Sequence, residues 1–138
     1  MASLTDSVPD KVEVLAIVET ALAWDLSGSD LPPADVTLGM VEQLTTYGRV
    51  VAIALRTMCL SLPAESEARL GAQATLSEAG RRLYLPPPEG TRPAAARRAR
   101  NVARLVQGLL RATHQVSAEQ RSAPHSTPQQ APTKGTLG

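Results

Sequence analysis

Across residues 34–62 a long apolar run carries charge at a single heptad position, where Asp35, Glu42, Arg49 and Arg56 follow one another at intervals of seven. Val41, Leu44, Gly48, Val51, Leu55, Met58 and Leu62 alternate four and three apart on a different stripe. Residues so spaced share one helical face, which predicts the central helix of a bundle. The order of the charges fits as well, since acids toward the N-terminus and arginines toward the C-terminus complement the helix macrodipole.

The same periodicity predicts three more helices. Ser7 can cap the first, with Pro9 tolerated in its opening turn, and Val12, Leu15, Val18, Leu22 and Leu26 form its core stripe, widened by Ile17, Ala21 and Trp24. The segment Ser27 to Pro33 ends it. A third helix opens at Pro63, Glu65 and Glu67, continues through Leu70, Ala72, Leu76, Ala79 and Leu83, and closes at Leu85 before three prolines. The fourth runs from Thr91-Arg92-Pro93 to about Val116 on Ala95, Ala99, Val102, Val106, Leu109 and Thr113.

Short connections place sequential helices antiparallel. The expectation is therefore all-α, an up-down-up-down four-helix bundle over residues 10–117, with a flexible N-terminus at 1–9 and a disordered tail at 118–138. That tail is rich in Ser, Pro, Gln and Thr and has almost no apolar content to offset its ordering entropy. The core must be aliphatic, because Phe is absent and Trp24, Tyr47 and Tyr84 are the only aromatic residues. Gly48 falls in the apolar seam of the second helix, which permits close approach of a neighbouring backbone. Gly108 lies beside the arginines of the fourth helix, where core packing offers no account of it.

Composition narrows the class. A chain of 138 residues with 43% hydrophobic content suits one small soluble domain. No apolar run is long enough to span a membrane and no leader pattern opens the chain, so the expected compartment is the cytoplasm, and the expected partners exclude a membrane. The single cysteine, Cys59, agrees with that compartment. Charge divides the chain: residues 1–80 hold eleven acids against four bases, and residues 81–138 hold ten bases against two acids.

The search for chemistry finds little. Cys59 has Arg56 nearby but neither a His nor a carboxylate, and reads as a packing residue. His114 reads as a partner of a helix C-terminus and His125 as a solvated tail residue, since neither belongs to a metal-ligand pattern. Glu65 to Arg69 and Glu78 to Arg82 read as ordinary i,i+4 pairs. Neither a Walker loop nor a GxGxxG pattern occurs, and no catalytic residue, metal ligand or cofactor is assigned.

Two surfaces stand out as candidates. The arginines Arg92, Arg97, Arg98, Arg100, Arg104 and Arg111 are candidate contacts for an anion or an acidic partner. At about 100° per residue, Arg97, Arg100, Arg104 and Arg111 fall in one sector of about 60°. Arg92, Arg97 and Arg98 oppose the macrodipole, and with free N–H groups around Ala94 to Ala96 they could hold a phosphate or carboxylate, although a solvated surface is the plainer reading. Val50, Ile53 and Leu60 lie off the main seam of the second helix and are candidate apolar contacts. Either the bundle surrounds them, which is the expectation, or a second chain does.

The order of parts resembles a known family. A Leu-Pro-Pro-Ala-Asp run leads into a long aliphatic helix ending in Leu60-Ser-Leu-Pro; a third helix carries Glu78-Ala-Gly-Arg-Arg-Leu, and a last helix carries Ala99-Arg-Asn-Val-Ala-Arg-Leu. It is similar, over about residues 10 to 116, to an uncharacterised family of small helical actinobacterial proteins labelled natural product biosynthesis proteins. The resemblance implies a role in specialised metabolism and assigns no active site. The expected function is a non-catalytic accessory or protein-interaction module, with a protein partner or a homodimer. The alternatives are a helical scaffold or cryptic enzyme taking a small-molecule ligand or anion, and a regulator binding nucleic acid through the fourth helix. The last is disfavoured because no helix-turn-helix or aromatic stacking set accompanies the arginines.

Overall fold

The computed structural model describes residues 9–122 and contains four helices: α1 (Lys11–Ala23), α2 (Ala34–Cys59), α3 (Glu67–Arg82) and α4 (Arg92–Ser122). Helices α2 and α4 form the inner diagonal, and both touch α1 and α3, which do not touch each other. Side-chain bonds fix the directions. Gln120 near the end of α4 donates to Ser61 Oγ and Met58 O just beyond and within the end of α2, so these two helices run parallel. Arg100 near the start of α4 donates to Trp24 O just after α1, which makes that pair antiparallel. The bundle is up-down-up-down, as the short connections predict.

The core is aliphatic and thin. Leu44, Leu55, Leu83, Leu109, Val14, Val18, Val106 and Val116 are essentially fully buried, and Ala72, Ala79, Ala95, Ala99, Ala103 and Ala112 let the helices approach closely. Gly48 is part of this closeness. A Cβ built there would sit 3.1 Å from Leu83 Cδ2 and 3.6 Å from Val106 Cγ2, so its missing side chain makes room for Leu83 between α2 and α4.

Helix α1 departs from the periodicity reading. Its buried residues are Val14, Val18 and Ala21, whereas Val12 and Leu15 are exposed. Apolar residues surround most of this short helix, so two stripes compete, and contact with α2 and α4 selects the one through Val14. The helix ends at Ala23 rather than Leu26, because Trp24 turns extended and Asp25 Oδ1 accepts from the backbone N–H and hydroxyl of Ser27. Asp10 is its N-cap, and the Ser7 cap lies outside the described residues.

The other boundaries shift for identifiable reasons. After Cys59 the chain tightens into i,i+3 turns that still bury Leu62. Helix α3 starts later than its prolines and glutamates suggest, where Ser66 Oγ accepts from the N–H of Arg69 at 3.1 Å. Arg69 itself donates to Leu62 O at 2.7 Å instead of pairing with Glu65, while the Glu78–Arg82 pair forms at 3.1 Å. Helix α4 continues past Val116 to Ser122, since Val116 is fully buried and Gln120 docks on the end of α2. Residues 123–138, which include most of the expected tail and His125, lie outside the described residues.

Candidate functional site: a basic groove between α3 and α4

The arginines of α4 divide into two sets. Arg92 donates to Leu31 O at 3.3 Å, Arg98 to Pro86 O at 2.8 Å and Arg100 to Trp24 O at 3.1 Å. These three tie the start of α4 to the preceding loops, and Arg100 is half-buried in doing so. The N–H groups expected to be free there are also engaged. Thr91 accepts from Ala94 through its hydroxyl and from Ala95 through its carbonyl. Ala96 lies one helical step further, within i to i−4 reach of Arg92. The start of α4 is thus a closed cap, in which Arg92, Arg98 and the N–H groups of Ala94 and Ala95 are already engaged.

Arg104 and Arg111 behave differently. Both are exposed, neither has an acidic partner among the described residues, and both line a concavity of about 360 Å³ between α3 and α4. Its other walls are Thr75, Glu78, Arg82, Asn101, Leu105 and Gly108. A second concavity of about 610 Å³, lined by Arg81, Arg82, Leu85, Arg98, Asn101 and Val102, shares Arg82 and Asn101 with the first. Together they make one groove. From Arg98 to Arg111 it follows α4 for about 20 Å at 1.5 Å per residue.

Glu78 is the groove's single acid and is already bound to Arg82. Arg81, Arg104 and Arg111 keep unneutralised charge along the walls, Arg98 retains donors beyond the one given to Pro86, and the exposed apolar surface comes chiefly from Leu85, with Val102 and Leu105 buried beneath the groove. Gly108 now has a place. A Cβ there would meet only Thr75 Cγ2, at an ordinary 3.8 Å, so glycine keeps the groove open rather than relieving a clash. The seam reverses sign at its other end, where Glu67 and Glu119 face an open hollow with Ala68, Gln115, Ala118 and Ser122.

Sequence reasoning found Arg98, Arg104 and Arg111 but missed Arg81, Arg82 and Leu85 as members of one site. Arg81 and Arg82 suit the last turn of α3 for dipole reasons alone, and only the antiparallel packing of α3 on α4 brings them opposite Asn101. Arg97 is exposed and lines neither concavity.

The apolar candidates lie elsewhere. Val50, Ile53 and Leu60 are 44%, 59% and 73% exposed, so the bundle leaves them uncovered, contrary to the expectation of burial. The reason is geometric: α1, α3 and α4 all pack on the opposite side of α2, through Val41, Leu44, Gly48, Leu55 and Cys59. Cys59 is buried, and burial pushes its thiol pKa up while Arg69 partly opposes the shift. That favours the neutral packing thiol over a nucleophile. His114 is exposed and lies two turns before the end of α4, which removes the C-terminal role read for it. Among the described residues no group of three His, Cys, Asp or Glu side chains is placed to hold a metal ion, and no helix is long and apolar enough to cross a membrane.

By fold and groove this is a small four-helix bundle with a basic, apolar-floored cleft between its last two helices. Residues 13–118 match a family of unknown function, DUF6415, and the chain belongs to that family. No curated protein and no solved structure matches it.

Proposed function

We propose that the protein is a non-catalytic interaction module that holds an acidic, amphipathic segment of a partner protein in the α3/α4 groove. The observation that carries this reading is the groove's charge: Arg81, Arg104 and Arg111 line it without acidic partners among the described residues, and the one acid in its lining is already paired. An apolar floor between cationic walls suits a helix with leucines on one face and carboxylates at its edges. A phosphate alone would leave the exposed Leu85 unused. Duplex nucleic acid has a regular charge on its outside and no apolar face to match this floor. We further propose that the partner belongs to natural product biosynthesis in the cytoplasm of an actinobacterium, a reading supported by the order of helical motifs.

The test is a titration with a fluorescein-labelled helical peptide rich in Glu and Leu. Binding should weaken steeply with salt and fall at least about 30-fold in an Arg104→Glu/Arg111→Glu variant, because the two reversals replace attraction by repulsion along the α4 wall of the groove. Absence of binding at low salt, or equal binding by the variant, would remove the proposal. Tighter binding of random duplex DNA than of the peptide would favour the regulator reading instead.

A further inference from the structure

The exposed side of α2 carries a second heptad seam, distinct from the one that faces the core. Val36, Gly39, Gln43, Thr46, Val50, Ile53, Thr57 and Leu60 alternate three and four apart, as a and d positions do along a coiled-coil strand. All but Thr46 are exposed, and Thr46 is half-buried. With Val36 and Val50 at a and Ile53 and Leu60 at d, the four charged residues fall at g. The stripe of Asp35, Glu42, Arg49 and Arg56 therefore borders this outer seam, and all four are exposed.

We infer that the outer face of α2 is a docking surface for a second copy of this chain, paired antiparallel about a twofold axis. In an antiparallel pair g residues face g residues, and a residues face d residues. The charge order then becomes self-complementary: Asp35 faces Arg56 of the second copy, Glu42 faces Arg49, and the twofold repeats both contacts. The same register sets Val36 against Ile53 and Gly39 against Val50, so these branched side chains cover one another or fill the space over a glycine, while Thr57 and Leu60 extend past the start of the second copy's α2. Gln43 and Thr46 meet at the centre. A parallel pair would instead set the charged g residues against Met40, Tyr47 and Ala54 at e, which supply no counter-charge.

The two charge pairs are not equally free. Arg49 already donates twice to Leu83 O and lies 4.3 Å from the centre of the Tyr84 ring. Arg56 has no acidic partner among the described residues, so the outer pair with Asp35 is the one to test. This surface shares no residue with the α3/α4 groove and stands independently of the reading given to it.

Light scattering of the full chain over a concentration series should show a dimer that dissociates on dilution, since polar Gln43 and Thr46 at the centre keep it weak. Ile53→Glu should raise the dissociation constant at least about 30-fold, because it sets a charge against Val36 in place of the larger apolar contact of the seam. Arg56→Glu should raise it about five- to tenfold by facing Asp35, and Asp35→Arg/Arg56→Glu should return it to within about threefold of the parent. All three positions are exposed, and circular dichroism checks that each variant keeps its helix content. A parent that stays monomeric at the highest concentration, a dimer indifferent to Ile53→Glu, or a double variant no better than Arg56→Glu would each overturn the inference.

Discussion

The outer face of α2 and the groove between α3 and α4 are both exposed and both charged, yet their charges are arranged in opposite ways. Along α2 two acids precede two arginines, so a copy turned end for end presents the complementary order. The groove is of nearly one sign, with Arg81, Arg98, Arg104 and Arg111 around a single paired Glu78. No rotation makes a one-signed surface complementary to itself. Charge order, rather than total charge, decides which surface suits a copy and which needs a foreign acidic chain.

The largest expected effect that separates the two is on binding. Arg104→Glu/Arg111→Glu should lose at least about 30-fold in affinity for the acidic peptide while leaving the dimer dissociation constant within about twofold, measured by anisotropy and light scattering on the same samples. A variant that loses both would mean that the surfaces are coupled.

Next come the two contacts that hold α3 between the surfaces. Gly48→Val should destabilise the fold by about 1–3 kcal/mol in urea unfolding, because Leu83 already lies 3.1 Å from the first added carbon. Arg49→Ala should cost about 1–2 kcal/mol, since Leu83 O loses two donors and Tyr84 loses the guanidinium over its ring. Smaller still, Gly108→Ala should stabilise by about 0.5–1 kcal/mol through helix propensity, because the new methyl meets only Thr75 at 3.8 Å. The contrast between Gly48 and Gly108 separates a glycine needed for packing from one that leaves a groove open.

A modest effect is expected in alkali. Burial raises the pKa of Tyr47, with Asp10 adding to it, and burial also raises that of Cys59. Both groups are neutral when protonated, so their contribution is fully present below the ordinary values of 9.0 for the thiol and 10.0 for the phenol, and is lost as pH rises through the higher folded values. Thermal melts from pH 8 upward should show this decline, and Tyr47→Phe should flatten its upper part.

Much of the frame was legible before any coordinates. The charge stripe of α2 is exposed at all four positions, and Leu44, Gly48 and Leu55 are buried as their spacing requires, because a long helix with few charges leaves one solution to the periodicity. Helix α1 has apolar residues on two faces and so misled it. The groove was half legible: Arg104 and Arg111 share a face that spacing reveals, but Arg81 and Arg82 join them only through tertiary packing. Arg92 and Arg100 are engaged by backbone carbonyls of distant loops, a use that spacing along the chain does not reveal.

The most direct test is an amide chemical-shift map of the isotope-labelled protein titrated with the acidic peptide. The account predicts that shifts concentrate at Arg81, Arg82, Asn101, Arg104 and Gly108 and leave Val50, Ile53 and Leu60 unmoved. Shifts centred on Val50 to Leu60, with the α3/α4 groove unperturbed, would contradict it.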